Sequence, residues 1–263
     1  MHQTTLSRFV EACRSDPRVL AAYLYGSHAS GTSDAWSDLD LGLVLAGDAF
    51  DDFAAGLEAF LRQLGEPLFI EDFDSDGVVF FILAGGTEGE LSYDRAGEFT
   101  EPHGPWRPLL DKAGALAAAR PRPRTVPADQ IETLRRQITW FWHDLSHFIT
   151  AVAREQLWWA AGQLENLRRV VANLARLQHD FAGGEVGDDP WFKLDVSLPD
   201  EALAPLRQTY VPLERAAMLG AARALIAHYR ALAVPLAGAH GLVYPADLDR
   251  LLQARLARLP KIT

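Results

Sequence analysis

A single cysteine, Cys13, in a chain of 263 residues excludes an internal disulfide. It lies on a segment with helical spacing and reads as a small buried hydrophobe, not a nucleophile. No uninterrupted apolar run is long enough to span a bilayer, so no membrane partner is expected. The stretch from Met1 to Asp16 is polar and charged and lacks the apolar centre of a signal peptide, which makes a cytoplasmic location the expectation. Fixed-period repeats and low-complexity tracts are missing too. Basic residues are scarce where they would matter for nucleic acid. Residues 1–120 carry 20 Asp and Glu against 8 Lys and Arg, a net of −12, whereas residues 121–263 carry 15 against 17, a net of +2. An acidic first half argues against a templated polymerase, which grips a phosphate backbone with a basic face. It suits a cationic small molecule instead. Nothing in the composition speaks to oligomeric state. With 49% apolar and 23% charged residues, the chain has enough core for one large or two ordinary soluble domains.

One segment carries most of the functional information. It runs Leu24-Tyr25-Gly26-Ser27-His28-Ala29-Ser30-Gly31-Thr32 and then Ser37-Asp38-Leu39-Asp40-Leu41-Gly42-Leu43-Val44-Leu45. The pattern predicts an apolar strand, a glycine-serine turn into a short helix, and a second strand that begins with two carboxylates. Residues i and i+2 of a strand share a face, so Asp38 and Asp40 are expected side by side. Two carboxylates held that close repel unless a cation sits between them. Mg²⁺ fits, since it is usually held by one or two carboxylates together with substrate phosphates. Gly26 lets the backbone turn and a ligand approach closely. Ser27, at a helix start, offers a hydroxyl and free N–H groups to phosphate oxygens.

This pattern resembles the nucleotidyltransferases of the DNA polymerase β superfamily, whose signature is Gly-Ser, a short spacer, and Asp-x-Asp on a strand. Gly31 and Ser37-Asp38 also fall where that signature has its Gly and Ser-Asp. The rest of the first half reads as a helix at Leu6–Arg14, strands at Val19–Tyr25 and Leu39–Leu45, and a helix over Phe50–Leu64. Further strands follow at Leu68–Asp72, Val78–Leu83 and, after Gly85-Gly86, Glu90–Tyr93. The resemblance implies an α+β fold, a small mixed-sheet core followed by a helical bundle. It also implies a third carboxylate from a neighbouring strand, for which Glu90 is the choice and Glu88 and Asp94 the competitors. Asp72, Asp74 and Asp76 read as a solvated acidic loop. Pro108-Leu109-Leu110-Asp111-Lys112-Ala113-Gly114 reads as a short strand and turn, similar to an element of antibiotic nucleotidyltransferases. Clustered prolines predict a junction at Pro121–Thr125; the resemblance implies that residues 1–124 are the catalytic domain and 125–263 the acceptor-binding one.

The second half predicts helices at Ala128–Ala153, Arg154–Phe181, and near 212–233 and 245–258, with a loop from Gly183-Gly184 to Gly187-Asp188-Asp189-Pro190. Phe141-Trp142, the run from Ala153 to Ala160 and Leu167-Arg168-Arg169 resemble the bundles of aminoglycoside and lincosamide nucleotidyltransferases. Family members take a general base from the third strand carboxylate or from the helical domain, which makes Glu90 and Glu155 the candidates; the base must meet an acceptor hydroxyl that attacks the α-phosphorus. Arg168 and Arg169 are candidates for triphosphate oxygens. Trp158 and Trp159 read first as core, and second as stacking platforms. His143 and His147, one helical turn apart, read as ordinary helix residues and not a zinc pair. Arg223 and His228 match loosely the Arg-x4-His pattern of HEPN ribonuclease bundles. The expectation is a Mg²⁺-dependent enzyme: Asp38, Asp40 and Glu90 hold the metal, Gly26 and Ser27 the phosphates. ATP is the expected donor and a small hydroxylated, antibiotic-like molecule the acceptor. A protein- or RNA-modifying nucleotidyltransferase with an HEPN-like bundle, or a non-catalytic nucleotide-binding relic, are the alternatives.

Overall fold

The computed structural model describes residues 2–72, 77–102, 104–120, 128–183, 186 and 189–259. The chain divides into two compact units, Met1–Pro123 and Arg124–Thr263. Part of the acidic loop (Asp74, Asp76), the junction at Pro121–Thr125, and Gly184, Gly187 and Asp188 of the later loop lie outside the described residues.

In the first unit α1 (His2–Ser15) leads into β1 (Val19–Tyr25), α2 (Gly26–Ser30) and β2 (Leu39–Leu45). Next come α3 (Phe50–Ala55), α4 (Leu57–Leu64), β3 (Pro67–Asp72), β4 (Val78–Leu83), β5 (Glu88–Arg95) and β6 (Trp106–Asp111). The six strands form one sheet in the order β3-β4-β5-β2-β1-β6. Every pair is antiparallel except β2 with β5, which run parallel. That mixed pairing is the α+β architecture expected from the sequence.

Alternation along the strands decides what each face holds. Leu39, Leu41, Leu43 and Leu45 of β2 turn to a core shared with Phe9 and Cys13 of α1 and with Phe53, Phe60 and Leu61 of α3 and α4. Each of the leucines and phenylalanines contributes roughly 1.5–3 kcal/mol by leaving water. Cys13 is fully buried there, and burial pushes its thiol up to about 12, as befits an inert hydrophobe. The opposite face is smaller and mixed, with Tyr23, Val44, Phe99 and Leu116 as its apolar part. A register shift in β1 between Val19 and Ala21 keeps Val19, Ala22 and Leu24 in the main core despite their uneven spacing.

Several boundaries differ from the sequence expectation. The helix over Phe50–Leu64 is two helices, because Gly56 closes α3 and opens α4. β5 begins at Glu88, so Glu90 is its third residue and not its first, and β6 begins at Trp106.

The second unit is helical: α5 (Ala128–Ala153), α6 (Leu157–His179), α7 (Leu194–Ser197), α8 (Asp200–Arg207), α9 (Arg215–Ala239) and α10 (Ala246–Ala257). Its core joins Phe141, Trp142 and Leu145 of α5, Leu164, Leu167 and Val171 of α6, and Leu225 and Tyr229 of α9. Tyr229 stacks on Phe141 with ring centroids 3.8 Å apart, and its hydroxyl donates to the Ile138 carbonyl at 2.8 Å. The expected helix at 154–181 starts three residues later, at Leu157. The backbone N–H of Gln156 donates to the Ala151 carbonyl and that of Glu155 to the Val152 carbonyl. This is the Schellman closure of α5, with Glu155 at the left-handed position, φ 56°, where glycine is usual. The helix expected near 212–233 runs on to Ala239 through Pro235. The short helices α7 and α8 had no signal strong enough to predict them. No helix among the described residues is long and apolar enough to cross a membrane.

Candidate active site

On the mixed face of the sheet, two rows of side chains cross three strands. β1 and β2 pair Tyr23 with Gly42 and Leu24 with Leu41, so one further step of that register brings Tyr25 beside Asp40. β2 and β5 pair Gly42 with Ser92 and Asp40 with Glu90. The first row is therefore Tyr23, Gly42, Ser92 and the second Tyr25, Asp40, Glu90. In the first, the Tyr23 ring lies across Gly42, and its hydroxyl reaches Ser92 Oγ at 3.3 Å. A Cβ on Gly42 would fall 1.9 Å from Tyr23 Cζ, so only glycine admits the ring. In the second row the Tyr25 hydroxyl donates to Glu90 Oε1 at 2.7 Å. Burial, then the bond to Glu90, raise the Tyr25 hydroxyl well above its ordinary value, so it stays a donor.

Gly26 and Ser27 follow directly where β1 ends. Gly26 has φ +66°, and a Cβ there would fall 2.0 Å from Asp40 Oδ2. The missing side chain is thus what leaves the Asp40 carboxylate its space. Ser27 Oγ is buried and has no hydrogen-bond partner among the described residues. α2 closes at Gly31, which is left-handed at φ 77°.

Asp38 differs from its expectation. β2 begins at Leu39, so Asp38 stands one residue outside the strand and is exposed, in a loop whose Trp36 is 94% exposed. The strand alternation that was to align it with Asp40 stops short of it. Its charge is felt by His28, but burial, then His2, dominate there and hold that imidazole below its usual value. Of the competitors for the third carboxylate, Glu88 is exposed near the start of β5, and Asp94 lies two residues beyond Ser92. The structure therefore brings together Gly26, Ser27, Asp40 and Glu90, with Asp38 at the rim. Among the described residues no group of three or more His, Cys, Asp or Glu is gathered closely enough to hold an ion. The donors present nevertheless fit Mg²⁺ in kind. They are hard carboxylate oxygens, two of them on paired residues, beside an orphaned hydroxyl suited to a phosphate that would complete the shell.

In the second unit, Glu155 is exposed in the turn between α5 and α6. Arg168 is 7% exposed. Its Nε donates to Thr209 Oγ1 at 3.0 Å, its NH2 to the Thr209 carbonyl and its NH1 to Glu165, and the guanidinium lies over the Tyr210 ring. The side chain expected on phosphate oxygens is thus taken up in holding α6 to the segment after α8. Its neighbour Arg169 is exposed and lines a cavity of about 500 Å³ with Arg136, Trp140, Asp144 and Asn166. Trp158 and Trp159, read first as core, are 83% and 37% exposed, because the Schellman turn sets the start of α6 with both on its outer side. His143 and His147 stack edge to face, 4.3 Å apart, and His143 Nδ1 lies 3.1 Å from the buried Asp144. Arg223 is exposed on α9 and His228 is partly buried. Sequence reasoning missed Tyr25 as a partner of the site; the alternation Tyr23, Tyr25 just before Gly26 was the available signal.

No curated protein matches the chain. Among solved structures, an aminoglycoside 6-adenyltransferase from Bacillus subtilis is similar over 97% of each chain, at 12% identity and a TM-score of 0.49. Residues 6–107, which hold Gly26, Ser27, Asp38, Asp40 and Glu90, match the family model of the nucleotidyltransferase domain, and with that match the resemblance read from the sequence is shown for the sheet-bearing unit.

Proposed function

We propose that this chain transfers a nucleoside monophosphate from a nucleoside triphosphate, ATP by preference, to a hydroxyl of a small cationic acceptor. The observation that carries this reading is the pairing of Asp40 with Glu90 across β2 and β5, beside the bare Cα of Gly26 and the orphaned Ser27 hydroxyl. Gly26 and Ser27 receive the β- and γ-phosphates. Asp40 and Glu90, with Asp38 from the rim, are the residues that would hold Mg²⁺, which when bound neutralises the triphosphate and the charge that builds on the leaving pyrophosphate. The acceptor oxygen forms a bond to the α-phosphorus as the bond to the bridging oxygen breaks. A carboxylate takes the acceptor's proton, with Glu90 and Glu155 as candidates. Positioning and charge neutralisation then supply most of the rate. The excess of acid in residues 1–120 supports a cationic acceptor, and an antibiotic-like amino sugar has that chemistry.

The test is a mass-spectrometric screen of hydroxylated acceptors with ATP and Mg²⁺, read for a nucleotidyl mass increment. Wild-type protein should add one nucleotidyl group to at least one cationic acceptor. The Asp40→Asn variant, folded by circular dichroism, should add none. Turnover by Asp40→Asn near the wild-type rate would overturn the assignment.

A further inference from the structure

The Tyr25 side chain links the glycine-serine turn to the strand carrying Glu90. It stands immediately before Gly26 and ends β1, yet its hydroxyl bonds a residue two strands away. Adjacent strands lie about 4.8 Å apart, so a side chain must cross nearly twice that spacing to do so. Tyrosine is long enough, and the row it crosses contains Asp40, whose charge it also feels. The row beneath shows the same device used for packing. Tyr23 crosses Gly42 to reach Ser92, and the two tyrosine rings lie 6.0 Å apart. In that lower row glycine makes room for the ring; in the upper row the middle position is a carboxylate.

The Glu90 carboxylate is on a flexible two-methylene stem and the residue is only partly buried. Without a partner its carboxylate would sample several rotamers, and fixing it would have to be done at the moment of binding. The bond from Tyr25 occupies Oε1. Glu90 Oε2 has no hydrogen bond among the described residues.

We propose that Tyr25 is a positioning residue: its hydroxyl holds Glu90 Oε1 and thereby presents Oε2, beside Asp40, as a preset ligand for a divalent cation. This rests on the reading of the site as a metal-dependent nucleotidyltransferase centre. It adds that metal affinity depends on a residue that does not itself touch the metal.

The experiment measures Mn²⁺ binding directly, by the electron paramagnetic resonance signal of free Mn²⁺, on the full chain without nucleotide or acceptor. Tyr25→Phe removes one oxygen and should leave the melting curve nearly unchanged while weakening Mn²⁺ binding about three- to tenfold. Glu90→Asp, which keeps the charge but draws the carboxylate back from Tyr25, should weaken it similarly. Combining Tyr25→Phe with Glu90→Gln should be no worse than Glu90→Gln alone, since both act on one ligand. Wild-type Mn²⁺ affinity in Tyr25→Phe, or additive losses in the double variant, would overturn the inference. Should Tyr25→Phe unfold, Glu90→Asp decides: full affinity there also overturns it. Asp40→Asn separates the two levels. If it weakens Mn²⁺ binding and Tyr25→Phe does not, only the role of Tyr25 fails; if neither does, the metal reading of the site fails with it.

Discussion

One methyl group at Gly26 would collide with the Asp40 carboxylate. Alanine there would be held at φ +66°, a conformation that costs an L-residue roughly 1–2 kcal/mol, and its Cβ would meet Asp40 Oδ2 at 2.0 Å. Gly26→Ala should therefore lower the melting temperature by several degrees and abolish transfer, because relief comes only by displacing Asp40. A variant that melts like wild type and still transfers would show that this turn is not where the phosphates lie. Ser27 makes the complementary case. Its buried hydroxyl lacks a partner among the described residues, so removing it leaves none of their groups unsatisfied. Ser27→Ala should leave stability within about 0.5 kcal/mol, as for a site without a special structural role. It should weaken Mg²⁺-triphosphate binding by about 1–3 kcal/mol, the scale of a hydrogen bond to a charged group. Calorimetric titration with a nonhydrolysable nucleotide reads the second number and a melt the first. A loss of stability with unchanged affinity would make Ser27 structural.

At the scale of elements, the turn between α5 and α6 allows stability and the proposed role of Glu155 to be tested together. Glu155 occupies the left-handed closing position of α5, where glycine carries no Cβ penalty. Glu155→Gly should stabilise the protein by about 1 kcal/mol. If Glu155 is the general base, the same variant should lose most of its kcat, a gain in stability bought with activity. Higher stability with unchanged kcat would leave Glu90 or another carboxylate as the base. The elements themselves were legible to different degrees. The strands Val19–Tyr25, Leu39–Leu45 and Val78–Leu83 and the helix Ala128–Ala153 have the bounds their apolar patterns predict. The failures have separate causes. Gly56 is a helix-ending residue type inside an apolar period that reads straight through it, whereas the Schellman turn after α5 is closed by Glu155, a residue type that does not announce it. Asp38 and Asp40 looked equivalent because Asp-x-Asp implies a strand through both, whereas the ladder starts between them. Arg168 looked available because burial by Thr209 and Tyr210 depends on a segment that begins 41 residues away. Glu90 could be named only from the resemblance, since its neighbour in space is set by a parallel crossover.

For the molecule as a whole, charge asymmetry gives the testable property. A net of −12 over residues 1–120 should steer cationic acceptors and leave neutral ones indifferent. Attraction between exposed charges is screened over about 8–10 Å at physiological salt. The kcat/KM for a polyamine-type sugar should thus fall as ionic strength rises, while that for a neutral sugar stays flat. Equal slopes for the two would reduce the acidic half to a solubility feature. The parallel pairing of β2 with β5 carries a different kind of consequence, one about time. Asp40 and Glu90 are neighbours in space but fifty residues apart along the chain, with two helices and the β3–β4 hairpin made in between. Contacts so distant in sequence form late, because the intervening loop must be closed before they are rewarded. During synthesis the glycine-serine turn and Asp40 emerge first, and Tyr25 has no carboxylate to hold until β5 arrives. On the proposed reading, Asp40 lacks its carboxylate partner over that interval, and the site is assembled only when β5 docks against β2.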